Sequence, residues 1–114
     1  MPAKIHKAPP HLAAETAAWW LHVHAEFSLE QHHVRLLTLA AEAWDRCGQA
    51  RALIDADGPV TVTPDGGLMA HPAVAIERDA RLAFARVLRE LDLDATAPPE
   101  RARPPGLHSN RRGT

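Results

Sequence analysis

Eight histidines are the first residues in this 114-residue chain that could do chemistry, because imidazole binds metals and titrates near neutrality. Their spacing is poor for it. His22 and His24 are two apart on a predicted helix, and at about 100° per residue they point in opposed directions and do not chelate one ion. His32 and His33 are adjacent, which is no better. No HExxH string, carboxylate cluster or Cys–His pairing accompanies them. One metal option stays open: a fold that brings His24 near His33 across the helix turn. Cys47 is the single cysteine, so it forms neither an internal disulfide nor a zinc site by itself, which fits a reducing cytosol. It lies among small residues with no cation in view, the setting of a packed thiol rather than a nucleophile. Asp65-Gly66-Gly67 has no lysine after it, so it reads as a turn and not as a phosphate cradle. The sequence predicts no active site, no cofactor and no resident metal.

The cations suggest a different chemistry. The net charge of −1 argues against a wholly basic nucleic-acid binder, but the charge is unevenly placed. Residues 1–11 carry Lys4 and Lys7 and no acid, and residues 95–114 carry Arg101, Arg103, Arg111 and Arg112 against Glu100. The segment between them is acidic, so an acidic body bears two basic ends. Both ends hold proline pairs, Pro9-Pro10, Pro98-Pro99 and Pro104-Pro105, and such segments bury too little apolar surface to offset their ordering entropy. The domain reading is therefore a flexible basic tail over 1–10, a helical oligomerisation domain with a hairpin over 11–94, and a flexible Pro/Arg-rich tail over 95–114. At 46% hydrophobic and 24% charged, the composition is that of a globular domain and excludes wholesale disorder and collagen. No apolar run approaches membrane-spanning length. MPAKIHKAPP lacks the apolar stretch of a secretory signal.

The expected fold is mainly α with one β-hairpin. An antiparallel helical hairpin spans about 11–27 and 28–57, the β-hairpin about 60–70 and a last helix about 72–92, between disordered termini. In the first helix Leu12, Trp19, Trp20, Val23 and Phe27 share one face. Ser28-Leu29-Glu30-Gln31 reads as a capping box opening the second helix, which stops at Gly58-Pro59. That helix has two apolar stripes, one through Val34, Leu37, Ala41, Trp44 and Gly48, the other through Leu36, Ala40, Ala43, Cys47, Ala50 and Ile54. A helix apolar on two sides must be covered on two sides, which suggests subunit–subunit contacts. Val60-Thr61-Val62-Thr63 reads as a strand, Pro64-Asp65-Gly66-Gly67 as its turn and Leu68-Met69-Ala70 as the return. A lone two-stranded hairpin is marginal in water, so it should lean on a helix or a neighbouring chain. The interface candidates are Val34, Leu37, Trp44, Ile54, Val60, Val62 and Leu68. Pro72 suits the first position of the last helix, whose Arg78, Arg86, Arg89 and Glu90 read as a solvated face.

The order of elements and several strings resemble the compact α-helical variety of the phage terminase small subunit family. The resemblance covers about residues 9–107. It rests on Pro-Pro-His-Leu followed by Trp20, then Ser28-Leu29-Glu30-Gln31 leading to Leu36-Leu37 and Ala41 to Trp44. It continues through Ala50 to Gly58, the β-branched strand, Gly66-Gly67, His71-Pro72-Ala73 and Leu91-Asp92-Leu93. His71-Pro72 stands where the family commonly has Asn-Pro, and Arg101 to Pro105 where it often has a Thr-Pro-Ser-rich basic segment. The resemblance implies a non-enzymatic packaging factor of the host cytoplasm. Such a factor forms a homo-oligomeric ring, binds double-stranded viral DNA and delivers it to the large ATPase/nuclease subunit, with no membrane involved. A ring would gather weak tails into a basic girdle. The candidate phosphate contacts are Lys4, Lys7, Arg101, Arg103, Arg111 and Arg112 in the tails and Arg78, Arg81 and Arg86 on the last helix. Three rivals remain: a helix-turn-helix regulator, a histidine-dependent metalloenzyme, and a purely structural virion assembly oligomer.

Overall fold

The computed structural model describes residues 6–93. The chain runs α1 (Ala14–Glu26), α2 (Gln31–Asp57), β1 (Val60–Val62), β2 (Leu68–Ala70) and α3 (Pro72–Leu91), the mainly α architecture with one antiparallel hairpin expected from the sequence. α2 is the central strut. α1 lies antiparallel to it, since Thr16 meets Asp45 and Trp20 meets Thr38. α3 returns antiparallel along another side, with His71 against Asp57 and Arg51 against Glu77.

Helix α1 starts later than Pro9-Pro10 suggests. A turn closed by Leu12 N–H to the Pro9 carbonyl precedes it, which tucks Leu12 into the core ahead of the helix. Its N-cap residue is Ala13, whose side chain cannot cap. Asp45 of α2 substitutes: one carboxylate oxygen accepts from Ala13 N–H at 2.8 Å and the other from the buried Thr16 hydroxyl at 2.5 Å. A carboxylate there also meets the positive end of the helix dipole.

The start of α2 corrects the expected Ser28 cap. The N-cap is Glu30, whose side chain accepts from the His33 backbone while His33 Nδ1 accepts from Glu30 N–H at 3.1 Å. The box is displaced because the linker stays extended long enough for both Phe27 and Leu29 to pack on the core. α2 ends at Gly58, whose φ of 85° only glycine adopts without strain. In the β-hairpin Val60 pairs with Ala70, Thr61 with Met69 and Val62 with Leu68. Its turn is closed by Gly66 N–H to the Thr63 carbonyl, with Gly66 at φ 89°. The Asp65 carboxylate accepts from the Thr63 hydroxyl and from Gly67 N–H. His71 caps α3 by accepting from Ala73 N–H at Nδ1, so Nε2 carries the proton and faces Asp57 at 2.9 Å. One imidazole thereby ties the end of α2 to the start of α3.

Among the described residues two clusters form the core. The larger joins Leu12, Trp20, Val23, Leu37, Ala41 and Leu91, and the smaller joins Ala50, Ile54 and Ala73. Both apolar stripes of α2 are thus largely covered inside the chain, by α1 and by α3. Leu37 and Ile54 are buried, which removes them from the expected subunit interface: with two helices antiparallel to α2, its own chain supplies the cover.

Candidate assembly and nucleic-acid surfaces

The hairpin supplies the plainest exposed apolar surface. Alternation along each strand puts Val60, Val62, Leu68 and Ala70 on one face. Val62 is 70% exposed and Leu68 74%, although they pair directly across the ladder. Met69, on the opposite face, is exposed too. Among the described residues the sheet has two strands, so both its outer edges there present backbone groups open to further pairing. The hairpin is held upright at its base by His71 N–H to the Pro59 carbonyl, and at its tip by Asp65. The Thr63 hydroxyl, then the Gly67 backbone, hold the Asp65 carboxyl below the usual range.

A second apolar surface lies where α1, α2 and α3 meet. Trp19, Trp44 and Phe84 line a cleft of about 300 Å³ with Glu15 and Thr16 at its rim. Phe84 sits between the two indoles, 6.2 Å from Trp19 and 5.1 Å from Trp44 between ring centroids. Trp44 is 58% exposed. On the far side of the α2–α3 pair a shallower groove is lined by Ala43, Ile76, Ala80 and Ala83, with Glu42, Arg46 and Asp79 around it. Leu39, Leu53 and Leu82 are further exposed apolar residues of these helices that the sequence pattern did not single out. Helical periodicity marked their neighbours as core, and only the packing shows which residues remain uncovered. Of the other interface candidates, Val34 packs against the larger cluster, while Trp44, Val60, Val62 and Leu68 are exposed.

The candidate DNA contacts divide in the same way. Lys4, Arg101, Arg103, Arg111 and Arg112 lie outside the described residues. Lys7 is exposed and has no ion pair among the described residues. On α3, Arg81 is 3.1 Å from Glu77, which Arg51 also approaches at 3.4 Å. Arg51 also bonds Asp55, and that bond, then Glu77, raises its pKa above the usual guanidinium value. Arg78 leans on Asp79 at 3.3 Å. Arg86 and Arg89 are exposed with no acidic partner among the described residues, so Arg89 joins Arg86 as a cation of α3 open to phosphate.

The histidines do not converge. His24 stacks on His6 at 4.1 Å between ring centroids and meets Trp20 in a tilted contact at 4.4 Å, and its Nε2 is buried without a partner among the described residues. Burial, then the nearby His6, lowers the His24 pKa. His32 and His33 meet in a tilted ring contact, and His11 pairs with Glu42 at 2.8 Å. Among the described residues no group of three His, Cys, Asp or Glu side chains is placed to hold a metal. No helix among them is long and apolar enough to cross a membrane.

Comparison with known families finds a match to the model described as phage terminase, small subunit, over residues 18–104. The matched span takes in most of α1 and all of α2, the hairpin and α3. No curated protein and no solved structure matches the chain.

Proposed function

This chain belongs to the phage terminase small subunit family and has a role in phage DNA packaging, and from that premise we propose that it works as a non-catalytic homo-oligomeric ring in the host cytoplasm. The ring binds double-stranded viral DNA and delivers it to the large subunit, which supplies the ATPase and nuclease. The observation that carries the reading is the hairpin: an apolar face through Val60, Val62 and Leu68 stands exposed on a two-stranded sheet with open edges. Such a hairpin is marginal alone and gains both hydrogen bonds and apolar burial when neighbouring copies add strands to it. Repeating one such head-to-tail contact around an axis closes a ring.

DNA is held by charge repeated around the assembly. Arg86 and Arg89 on α3, Lys7, and the cations of the two ends each contribute phosphate contacts that carry little sequence information. One chain is weak because its body is acidic, and many chains together bind by avidity. Native mass spectrometry and light scattering of the full chain test the assembly. A single large closed species that falls to monomers in Val62→Lys and in Leu68→Lys supports the ring. A wild-type monomer or simple dimer overturns it.

A further inference from the structure

We infer that the aromatic cleft of Trp19, Trp44 and Phe84 is a polyproline-binding surface whose occupant is the chain's own segment 98–101, Pro98-Pro99-Glu100-Arg101. The cleft has the chemistry of proline recognition. Aromatic faces grip pyrrolidine rings, and a pre-extended polyproline strand loses little entropy on docking. Neither the Trp19 nor the Trp44 indole N–H donates a hydrogen bond among the described residues, whereas that of core Trp20 is used by Thr38 at 3.1 Å. Both are therefore ready to donate to the carbonyls of an extended segment.

Reach and direction agree. The last described residue, Leu93, packs against the same core cluster as Trp19, after Asp92 has turned the chain at φ 51°. Leu93 thus ends the described chain against the cluster that α1, α2 and α3 share. Phe84 lies seven residues before Leu91 on α3, about 10 Å along the axis. Residues 94–97 span about 13 Å when extended, enough to bring Pro98 back to Phe84. A strand continuing in that direction runs toward the start of α3 and, because α1 is parallel to α3, from Trp19 toward Glu15. Glu15 is exposed and has no cation within ion-pair distance among the described residues. A polyproline helix has three residues per turn, so Pro98 and Arg101 fall on one side. Arg101 then lies about 9 Å further on, within side-chain reach of Glu15. A tether this short gives a high effective concentration, so modest contacts suffice.

The test uses the full chain labelled with 5-fluorotryptophan and followed by fluorine NMR, the three resonances being assigned with single Trp→Phe variants. In Pro98→Ala/Pro99→Ala, the Trp19 and Trp44 resonances shift toward solvent-exposed values and Trp20 stays in place. Arg101→Glu shifts the same two lines, and the charge swap Glu15→Arg/Arg101→Glu restores them. A synthetic peptide of residues 95–108 added to the proline variant returns them to the wild-type positions. Trp19 and Trp44 resonances unchanged by the proline and arginine variants overturn the proposal. So does a shift that follows protein concentration instead, which would place a second copy in the cleft. No DNA enters the assay, so its outcome is separate from that of the packaging reading.

Discussion

Asp45 sits in the middle of α2, yet both its carboxylate oxygens serve α1, one at Ala13 N–H and one at the buried Thr16 hydroxyl. A helix whose cap residue is alanine depends on such an outside acceptor. Asp45→Ala should therefore destabilise the chain by about 1–3 kcal/mol, leaving a buried hydroxyl and a helix-end amide unpaired. Urea unfolding measures it, and coupling to Thr16→Val in a double-mutant cycle isolates the pair. His24 sets a pH limit. Its folded pKa is lowered from the ordinary 6.5, first by burial and then by His6, so the folded state prefers the neutral ring. The stability this contributes is present above the unfolded pKa and is lost as pH falls through the lowered folded value. The thermal midpoint should therefore drop on acidification below about pH 6.5. His24→Phe, which keeps an aromatic ring against Trp20 and removes the proton site, should flatten that part of the profile.

At the scale of the element, the hairpin and the helices stand on different footing. α2 and α3 are joined by packed apolar residues and by the His71–Asp57 and Arg51–Glu77 pairs. The hairpin has its ladder, its Asp65-centred turn and little cover. Gly66 is the vulnerable point, because at φ 89° any side chain is strained although nothing lies within 4 Å of a built Cβ. Gly66→Val should weaken the turn by about 1 kcal/mol or more. Hydrogen exchange should then show reduced protection at Thr63 and Gly66 with α2 and α3 unchanged. A matching reduction across α2 would show instead that the hairpin and helices unfold as one unit.

At the scale of the whole molecule, the proposed DNA binding rests on charge placement. The net charge is −1, so the DNA binding proposed above would draw on cations that stand apart from the acids. On α3, Glu77 engages Arg81 and Asp79 engages Arg78, while Arg86 and Arg89 stand apart from acids among the described residues. Replacing both Arg86 and Arg89 with Ala should lower DNA affinity. It should also reduce the slope of log K against log salt by about 0.9 for each phosphate that is no longer neutralised. Fluorescence anisotropy with a DNA duplex across a salt series reads both. An unchanged slope removes Arg86 and Arg89 from the proposed phosphate contacts.

The order and type of the elements were legible in the chain before any contact was known. Apolar spacing, Gly58-Pro59, Pro64-Asp65-Gly66-Gly67 and His71-Pro72 are local signals, and propensity, turn chemistry and helix stops act over a few residues. The family was legible for the same reason, since an ordered set of local strings survives without knowledge of contacts. Partnership was not legible. Two apolar stripes on α2 say that it is covered twice and do not say by whom. Only the antiparallel return of both α1 and α3 put Leu37 and Ile54 inside the chain and left Trp44, Val62 and Leu68 outside. The start of α2 escaped because Ser28 is the better cap locally, and the packing of Phe27 and Leu29 on the core moved the cap to Glu30. Burial and long-range pairing are properties of surfaces distant in sequence that fold together, and they take values only when the tertiary structure brings those surfaces into contact.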